Sequence, residues 1–392
     1  VPFVAIILAA LSLCIWIVLT FFRGSFWLLD PFDDDVVRHE PPSSWPRVIA
    51  VIPARNEAET IAQTIQSLTA QDYRGELRMV VVDDHSEDDT SAMARKAAKF
   101  GGSTDQVEVL SAAPLQAGWT GKLWALQQGV ERGARYAPDY FWFTDADIAH
   151  APDTLSRLVS RAETRRLDLT SLMVLLQAKS LPERLLIPPF LFFFLKLYPP
   201  KCIASSSSKV AGAAGGCVLL RSPVLARIGG IAAIRQAVID DCALARAVKA
   251  GGGSMWMGLT RKSVSLRSYK TFSEIRDLIA RTAFTQLDYS SALLLATVVG
   301  MLLTYAVPVI LAFHSQALVW RPSLAAWALM TISYLPTIRF YRLSPLWAPF
   351  LPVAAAFYSY ATMLSAVRFW LGRGGRWKGR SQAPVTNETA SR

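Results

Sequence analysis

Cysteine is scarce: four in 392 residues, Cys14, Cys202, Cys217 and Cys242, with no CxxC spacing and with Cys14 inside an apolar run. That excludes a disulfide framework and a cysteine zinc site, and reduced thiols fit a cytoplasmic domain. Charge is sparse too, at 18% of residues against 52% hydrophobic, with a mean hydropathy of +0.29. A soluble enzyme of this length carries more charge, so part of the chain belongs in lipid. A Walker-type phosphate loop is missing: Gly118-Trp119-Thr120-Gly121-Lys122 lacks the GxxxxGK spacing, and Leu123 follows where Ser or Thr is needed. ATPase chemistry is thereby disfavoured. No nucleic-acid motif accompanies the formal charge of +11. Six basic residues (Arg368, Arg373, Arg376, Lys378, Arg380, Arg392) instead crowd the last 25 positions beside an apolar stretch, a placement suited to anionic headgroups.

Apolar runs mark both ends. Val1 to Phe22 is uncharged and long enough for a spanning helix, which needs about 20 apolar residues. A cleaved signal peptide is the rival reading, but the run has no basic n-region, and bulky Phe21-Phe22 replace a small-residue cleavage site. Residues 289–320, 322–338 and 343–367 hold no Asp, Glu, Lys or Arg. They read as two or three further spans, with Pro308, Pro336, Pro349 and Pro352 as kink positions. If all three cross and the middle of the chain is cytoplasmic, the basic tail lies outside, against the positive-inside rule, so one run is a candidate re-entrant or interfacial segment. The expected organisation is an anchor over 1–24, a linker over 25–46, a catalytic domain over 47–287, a membrane region over 289–370 and a basic tail over 371–392.

The middle of the chain alternates strands and helices. Strands are predicted at 48–52, 77–82, 107–110 and 140–143, and helices at 57–70, 90–100 (stopped by Gly101-Gly102), 121–135 and 152–163. The expected fold is α/β, an open and mainly parallel sheet with right-handed crossovers and helices on both faces. Residues 185–200, LLIPPFLFFFLKLYPP, are interrupted by paired prolines and read as an interfacial segment against the membrane, in preference to a buried core helix. The small-residue stretches 204–208 and 211–216, on either side of Lys209, read as mobile loops.

Ligands bind such sheets at the carboxyl ends of the strands. Three polar clusters fall there: Pro53-Ala54-Arg55-Asn56-Glu57, Asp83-Asp84-His85-Ser86 and Asp145-Ala146-Asp147. Helix capping explains any one of them, but not three on one edge. Asp145 and Asp147 are spaced to address one hard cation, Mg²⁺ or Mn²⁺, together with diphosphate oxygens. The competing role for Asp147 is to cap the helix near Pro152, for which Asp153 is better placed. Lys122, at a helix start, is either a phosphate contact or a surface lysine. Asp240-Asp241 open another helix, as caps or as the site of a base whose pKa burial raises.

In order and spacing, PARNE (53–57), VVVDDHSEDDT (80–90), GWTGKLWAL (118–126), TDADI (144–148), AGGCVLLR (214–221), IDDCALARAVKAGG (239–252) and RTAFTQLDYS (281–290) resemble the inverting family 2 glycosyltransferases. Within these the chain resembles the membrane-bound, hopene-associated glycosyltransferases of bacteria. The resemblance implies a GT-A fold and a nucleotide-diphosphate sugar donor. It also implies a hopanoid or polyprenoid-like lipid acceptor, a divalent metal, and a multi-pass protein of the bacterial inner membrane with a cytoplasmic catalytic domain. It puts Pro53, Arg55, Asn56, Glu57, Asp83 and Asp84 around the nucleotide, with Asp84 on the base. Asp145 and Asp147 become the metal and diphosphate motif, Gly215-Gly216-Cys217 the acceptor-side loop, Asp240 a substrate contact and Asp241 the catalytic base. One departure is the absence of a QxxRW-type motif before the last spans, where Arg281 and Gln286 stand as substitutes. That disfavours the alternative of a processive polysaccharide synthase, and retention of all the acidic motifs weighs against a non-catalytic scaffold.

Overall fold

A computed structural model describes residues 2–29, 42, 44–100, 105–372, 376–377 and 380–381. The predicted helix stop at Gly101-Gly102 lies outside these, as do most of the 25–46 linker and most of the basic tail. The chain divides into two compact units, an α/β unit (31–176, 206–267, 375–392) and a helical unit (1–30, 177–205, 268–374). Residues 177–205 and 268–287, assigned from sequence to the catalytic domain, cluster with the helical unit.

The α/β unit is built on strands β1 (Val48–Ala54), β2 (Leu77–Asp83), β3 (Val107–Ser111), β4 (Tyr140–Phe143), β5 (Ile148–Ala149), β6 (Leu169–Leu175), β7 (Val218–Arg221) and β8 (Met255–Ser265). They form one sheet in the order β3-β2-β1-β4-β7-β6-β8-β5. The first four are parallel, as the sequence pattern predicts. β1 is buried at every position, which is why it is an apolar run and not an alternation. The other half is mixed: β7 runs antiparallel to both β4 and β6, β6 runs parallel to β8, and β5 closes the edge antiparallel to β8.

Helices α2 (Ile61–Thr69), α3 (Thr90–Phe100), α4 (Gly121–Ala134) and α5 (Thr154–Thr164) alternate with the parallel strands. α2 buries Ile61, Ile65 and Leu68 along one face. It starts at Ile61 and not at Glu57, because Glu57 to Thr60 close a turn in which the Glu57 carbonyl accepts from Thr60 N at 3.0 Å and Ile61 N at 2.9 Å. On α4 a Cβ at Gly129 would stand 2.3 Å from Val51 Cγ1 and 3.2 Å from Val82 Cγ2, so the glycine lets the helix lie directly on β1 and β2. Gly129→Ala is expected to destabilise the unit by about 1–3 kcal/mol through overpacking. A lowered thermal unfolding midpoint checks this, and an unchanged one contradicts the close approach.

In the helical unit, α1 (Pro2–Ile17) continues as a π-helical turn over Val18–Phe22. Next come α6 (Leu181–Leu197), α7 (Pro200–Ala204), α10 (Phe272–Ala280), α11 (Ser291–Met301), α12 (Val307–Leu311), α13 (Ala317–Phe340) and α14 (Leu351–Trp370). Among the described residues, four stretches are long and apolar enough to cross a membrane: Phe3–Phe22, Leu181–Ala204, Ser291–Leu311 and Pro345–Trp370. Leu181–Leu197 is one helix despite Pro188 and Pro189, both buried within it. Its start is fixed by a capping box, with Ser180 Oγ accepting from Glu183 N and Glu183 accepting from Ser180 N. Its aromatics lock against neighbours, Phe192 to Phe26 and Tyr334 at 5.2 Å each and Phe193 to Tyr358 at 4.9 Å. This packing offsets the hydrogen bonds the prolines remove. A similar repair occurs where Pro308 has no N–H for the carbonyl of Thr304: Trp16 Nε1 donates to that oxygen at 2.7 Å.

Candidate active site

Because β2, β1 and β4 are parallel neighbours in register, with Ala54 opposite Asp83 and Val51 opposite Phe143, the segments that follow them leave the sheet at one edge. The loops after β1 and β2 are clamped to each other. Buried Arg55 donates through Nη1 to the carbonyls of Asp84 (2.6 Å) and His85 (2.9 Å) and through Nη2 to Glu87 Oε1 at 3.2 Å. Asn56 N donates to Ser86 Oγ at 3.0 Å, and its Oδ1 accepts from Glu87 N at 2.8 Å. Asn56 and His85 both adopt φ +52°, a turn conformation that Asn tolerates well. Glu57 N donates to Thr90 Oγ1 at 2.7 Å, the Asp83 carboxylate accepts from Ser86 N and Oγ, and Asp84 is fully buried with its N–H on Ala54 O at 2.8 Å. These residues build a rigid rim.

Beside this rim lies a narrow cleft lined by Lys122, Asp145, Asp240 and Asp241, by the backbone of Pro53 and Gly215, and by apolar walls that include Phe143, Ile231 and Leu244. Lys122 rises from the first turn of α4, its Nζ 2.8 Å from Asp145 Oδ1 and 3.0 Å from Asp240 Oδ2. Burial pulls the ammonium's pKa down, but the Asp145 and Asp240 carboxylates outweigh it and hold the pKa above the usual lysine value. Lys122 is therefore a largely buried bridge between two acidic motifs and not a surface lysine.

After β7 comes α8 (Ser222–Arg227), and Asp241 lies in the first turn of the next α-helix, α9 (Asp240–Ala250). Its Oδ2 accepts from Gly215 N at 2.8 Å and its Oδ1 from Cys242 N at 2.7 Å. Burial, reinforced by the Asp240 charge, pushes its pKa up to about 6, against the opposing pull of Lys122 and the two amides. A Cβ on Gly215 would stand only 3.3 Å from Asp241 Oδ2, so glycine is what lets the loop amide reach the carboxylate.

Beyond Gly215 this segment packs into the core. Cys217 does not face the cleft: fully buried in the core, it accepts from the Trp142 indole at 3.3 Å. The 211–216 stretch is not loose, because Ala211, Ala213 and Ala214 are buried and Ala214 N donates to Ser171 Oγ at 2.8 Å. Gly216 is packed as well, with its carbonyl accepting from Thr144 Oγ1 at 3.0 Å. Asp147 sits in the turn after β4, half-buried, its carbonyl accepting from Leu266 N at 2.7 Å. Arg281 and Gln286 belong to the helical unit, Arg281 exposed at the end of α10 and Gln286 Oε1 accepting from Tyr198 Oη at 3.0 Å.

Among the described residues no three His, Cys, Asp or Glu side chains form a complete metal cage. Mg²⁺ and Mn²⁺ do not need one, because they take one or two carboxylates and complete their shell with substrate phosphate and water. The donor set fits that pattern. Asp145 and Asp147 offer hard oxygens on one turn, and in the cleft three carboxylates face the single ammonium of Lys122, leaving negative charge for a further cation.

The family model for Glycosyl transferase family 2 matches residues 49–229. The solved mannosyltransferase PcManGT from Pyrobaculum calidifontis, in complex with GDP-Man and Mn²⁺, is similar with a TM-score of 0.56 at 18% identity, over 93% of this chain and 98% of that one. The glucosyl-3-phosphoglycerate synthase of Mycobacterium tuberculosis, in complex with Mg²⁺ and UDP, aligns with a TM-score of 0.40 at 20% identity, over 61% of this chain and 79% of that one. No curated protein sequence matches. The chain thus has the GT-A fold, with apolar helices in its N-terminal and C-terminal regions. Residues 49–229, the part that matches the family 2 glycosyltransferase model, contain the segments after β1, β2 and β4 and the cleft residues Lys122, Asp145 and Gly215.

Proposed function

We propose that this protein is a membrane-bound inverting glycosyltransferase that moves a sugar from a nucleotide-diphosphate donor to a lipid hydroxyl, with a hopanoid or other polyprenoid alcohol as acceptor. The observation that carries it is the meeting of Asp145, Asp240 and Asp241 around Lys122 in one cleft at the carboxyl edge of the sheet. Asp241 is the base. An acid with a pKa of about 6 is ionised at neutral pH yet basic enough to take a hydroxyl proton. In one displacement the acceptor oxygen gives its proton to Asp241 and bonds to the anomeric carbon, while the bond from that carbon to the diphosphate oxygen breaks. Gly215 N–H orients Asp241 for this step. Lys122 supplies positive charge to the leaving diphosphate.

Asp145 and Asp147 would hold Mg²⁺ or Mn²⁺, which when bound neutralises charge on the departing nucleoside diphosphate. The segments after β1 and β2 would enclose the nucleotide. The apolar helices and basic C-terminal residues fit a multi-pass inner-membrane protein with its catalytic domain cytoplasmic, close to a lipid acceptor. The test is release of nucleoside diphosphate by purified protein. Chelation with EDTA should lower it by about 10²-fold or more, and Mn²⁺ or Mg²⁺ should restore it. Turnover indifferent to chelation would remove the metal from the proposal.

A further inference from the structure

His150 carries no motif signature, yet it is a buried imidazole directly behind the site. Its Nε2 lies 2.9 Å from Thr144 Oγ1 and its Nδ1 lies 3.0 Å from Ser263 Oγ on β8. Thr144 is the residue before Asp145, and its hydroxyl also reaches the Gly216 carbonyl at 3.0 Å. Proton counting fixes the direction of this chain. Besides the ring, the hydroxyl reaches two carbonyls, Gly216 at 3.0 Å and Asp145 at 3.4 Å; a carbonyl only accepts, so the single Thr144 hydroxyl proton goes to the carbonyl side, toward the nearer Gly216 oxygen. The proton between Thr144 and the ring must then come from Nε2–H, which leaves Nδ1 to accept from the Ser263 hydroxyl. Burial pushes the imidazole pKa down to about 3, in keeping with a ring that stays neutral. The ring plane is held against Trp142, with centroids 4.8 Å apart.

We propose that His150 and Thr144 are positioning residues for transfer. The directed chain Ser263–His150–Thr144–Gly216 ties the loop bearing Asp145 to the loop whose Gly215 amide holds the Asp241 carboxylate. The two loops come from distant parts of the sequence, and each presents one half of the reaction: Asp145 the donor diphosphate, Gly215 and Asp241 the acceptor proton. Thr144 is where they meet. Loss of its hydroxyl leaves the Gly216 carbonyl and His150 Nε2–H without their partner and frees the loops to shift relative to each other. Displacements of about 1 Å at a reacting centre lower rates by about 10²-fold.

This inference rests on the transferase reading above, and the experiment separates the two. In the full-length chain, Thr144→Val is expected to lower kcat by about 10–100-fold with donor KM within about threefold, while Thr144→Ser, which keeps the hydroxyl, stays within about threefold of wild type. His150→Phe should lower kcat similarly, and the Thr144→Val/His150→Phe double variant should be no slower than the slower single, as members of one chain are not additive. In parallel, ¹⁵N NMR of histidine-labelled, metal-free protein should show His150 as the neutral Nε2–H tautomer throughout pH 5–8. Wild-type kcat in Thr144→Val, equal losses in Thr144→Val and Thr144→Ser, or an Nδ1–H tautomer would each overturn the proposal. A wild type inactive with every donor would overturn the transferase reading instead, and the tautomer would then decide the network by itself.

Discussion

Asp241→Asn should lower sugar transfer by about 10²–10⁴-fold, the range for losing a general base in the transition state, while donor binding changes little. The same group sets the pH dependence. The raised pKa of Asp241 comes first from burial and then from Asp240 beside it. Below about pH 6 the carboxyl is protonated and cannot accept the acceptor's proton, so wild-type kcat/KM should fall on the acid side with an apparent midpoint near 6. The residual activity of Asp241→Asn should lack that limb. The effect on stability has its own sign. A carboxyl whose folded pKa lies above its unfolded value favours the folded state below the unfolded pKa and loses that contribution as pH rises through about 6. At neutral pH the fold therefore carries an unfavourable buried charge at this position, the pattern expected where activity and stability pull apart. A pH–rate profile of wild type and variant checks both statements, and an acid limb unchanged in Asp241→Asn would assign the titration to another group.

Lys122→Met should have the second largest effect. It leaves Asp145, Asp240 and Asp241 facing one another around a site with no positive charge. Removing one partner of a well-buried pair costs about 3–5 kcal/mol, but the Asp145 side chain is 35% exposed, so solvent screening brings the expected loss to about 1–3 kcal/mol. Since the lysine's folded pKa lies above its unfolded value, its stabilisation is fully present below the unfolded lysine pKa. The deficit of the variant should therefore persist across the neutral range. Donor kcat/KM should fall by about 10²–10³-fold, because the leaving diphosphate loses its ammonium. Lys122→Arg should restore part of the stability and little of the rate: one compact Nζ serves both Asp145 and Asp240, a point contact that a planar guanidinium spreads over several nitrogens. Thermal unfolding and steady-state kinetics of the three proteins measure this.

The parallel half of the sheet is legible in the sequence because strands buried on both faces are uninterrupted apolar runs and their helices repeat on one face. The mixed half is not. β6 carries Thr170 and Ser171 at fully buried positions, where Ser171 bonds the Ala214 amide and so hides the apolar pattern. β7 has four residues, and β8 mixes Arg261 and Lys262 into its run. α6 runs unbroken through Pro188 and Pro189, which normally end a helix, and its aromatic neighbours show why it continues.

At the site, the acidic residues are visible as motifs at strand ends and at a helix start. What the sequence leaves open is which of them meet. Lys122, Asp145 and Asp240 are remote in the chain, and the two readings of Lys122 could be separated only by the ion pairs. Cys217 shows the converse, a motif residue that faces the core. Thr144 stands in the TDADI motif without a role of its own and His150 lies outside every motif, since a single hydroxyl and a single imidazole become a chain only when β8 and the Gly216 loop close on them.

In the proposed function this cleft transfers one sugar to a lipid through Asp241. The most direct measurement is mass spectrometry of a membrane lipid extract incubated with purified full-length protein, Mn²⁺ and a panel of nucleotide sugars, with Asp241→Asn alongside. A lipid gaining the mass of a single sugar from one donor, absent in the variant, is the expected result. A ladder of polymer masses, or equal product with Asp241→Asn, would contradict it.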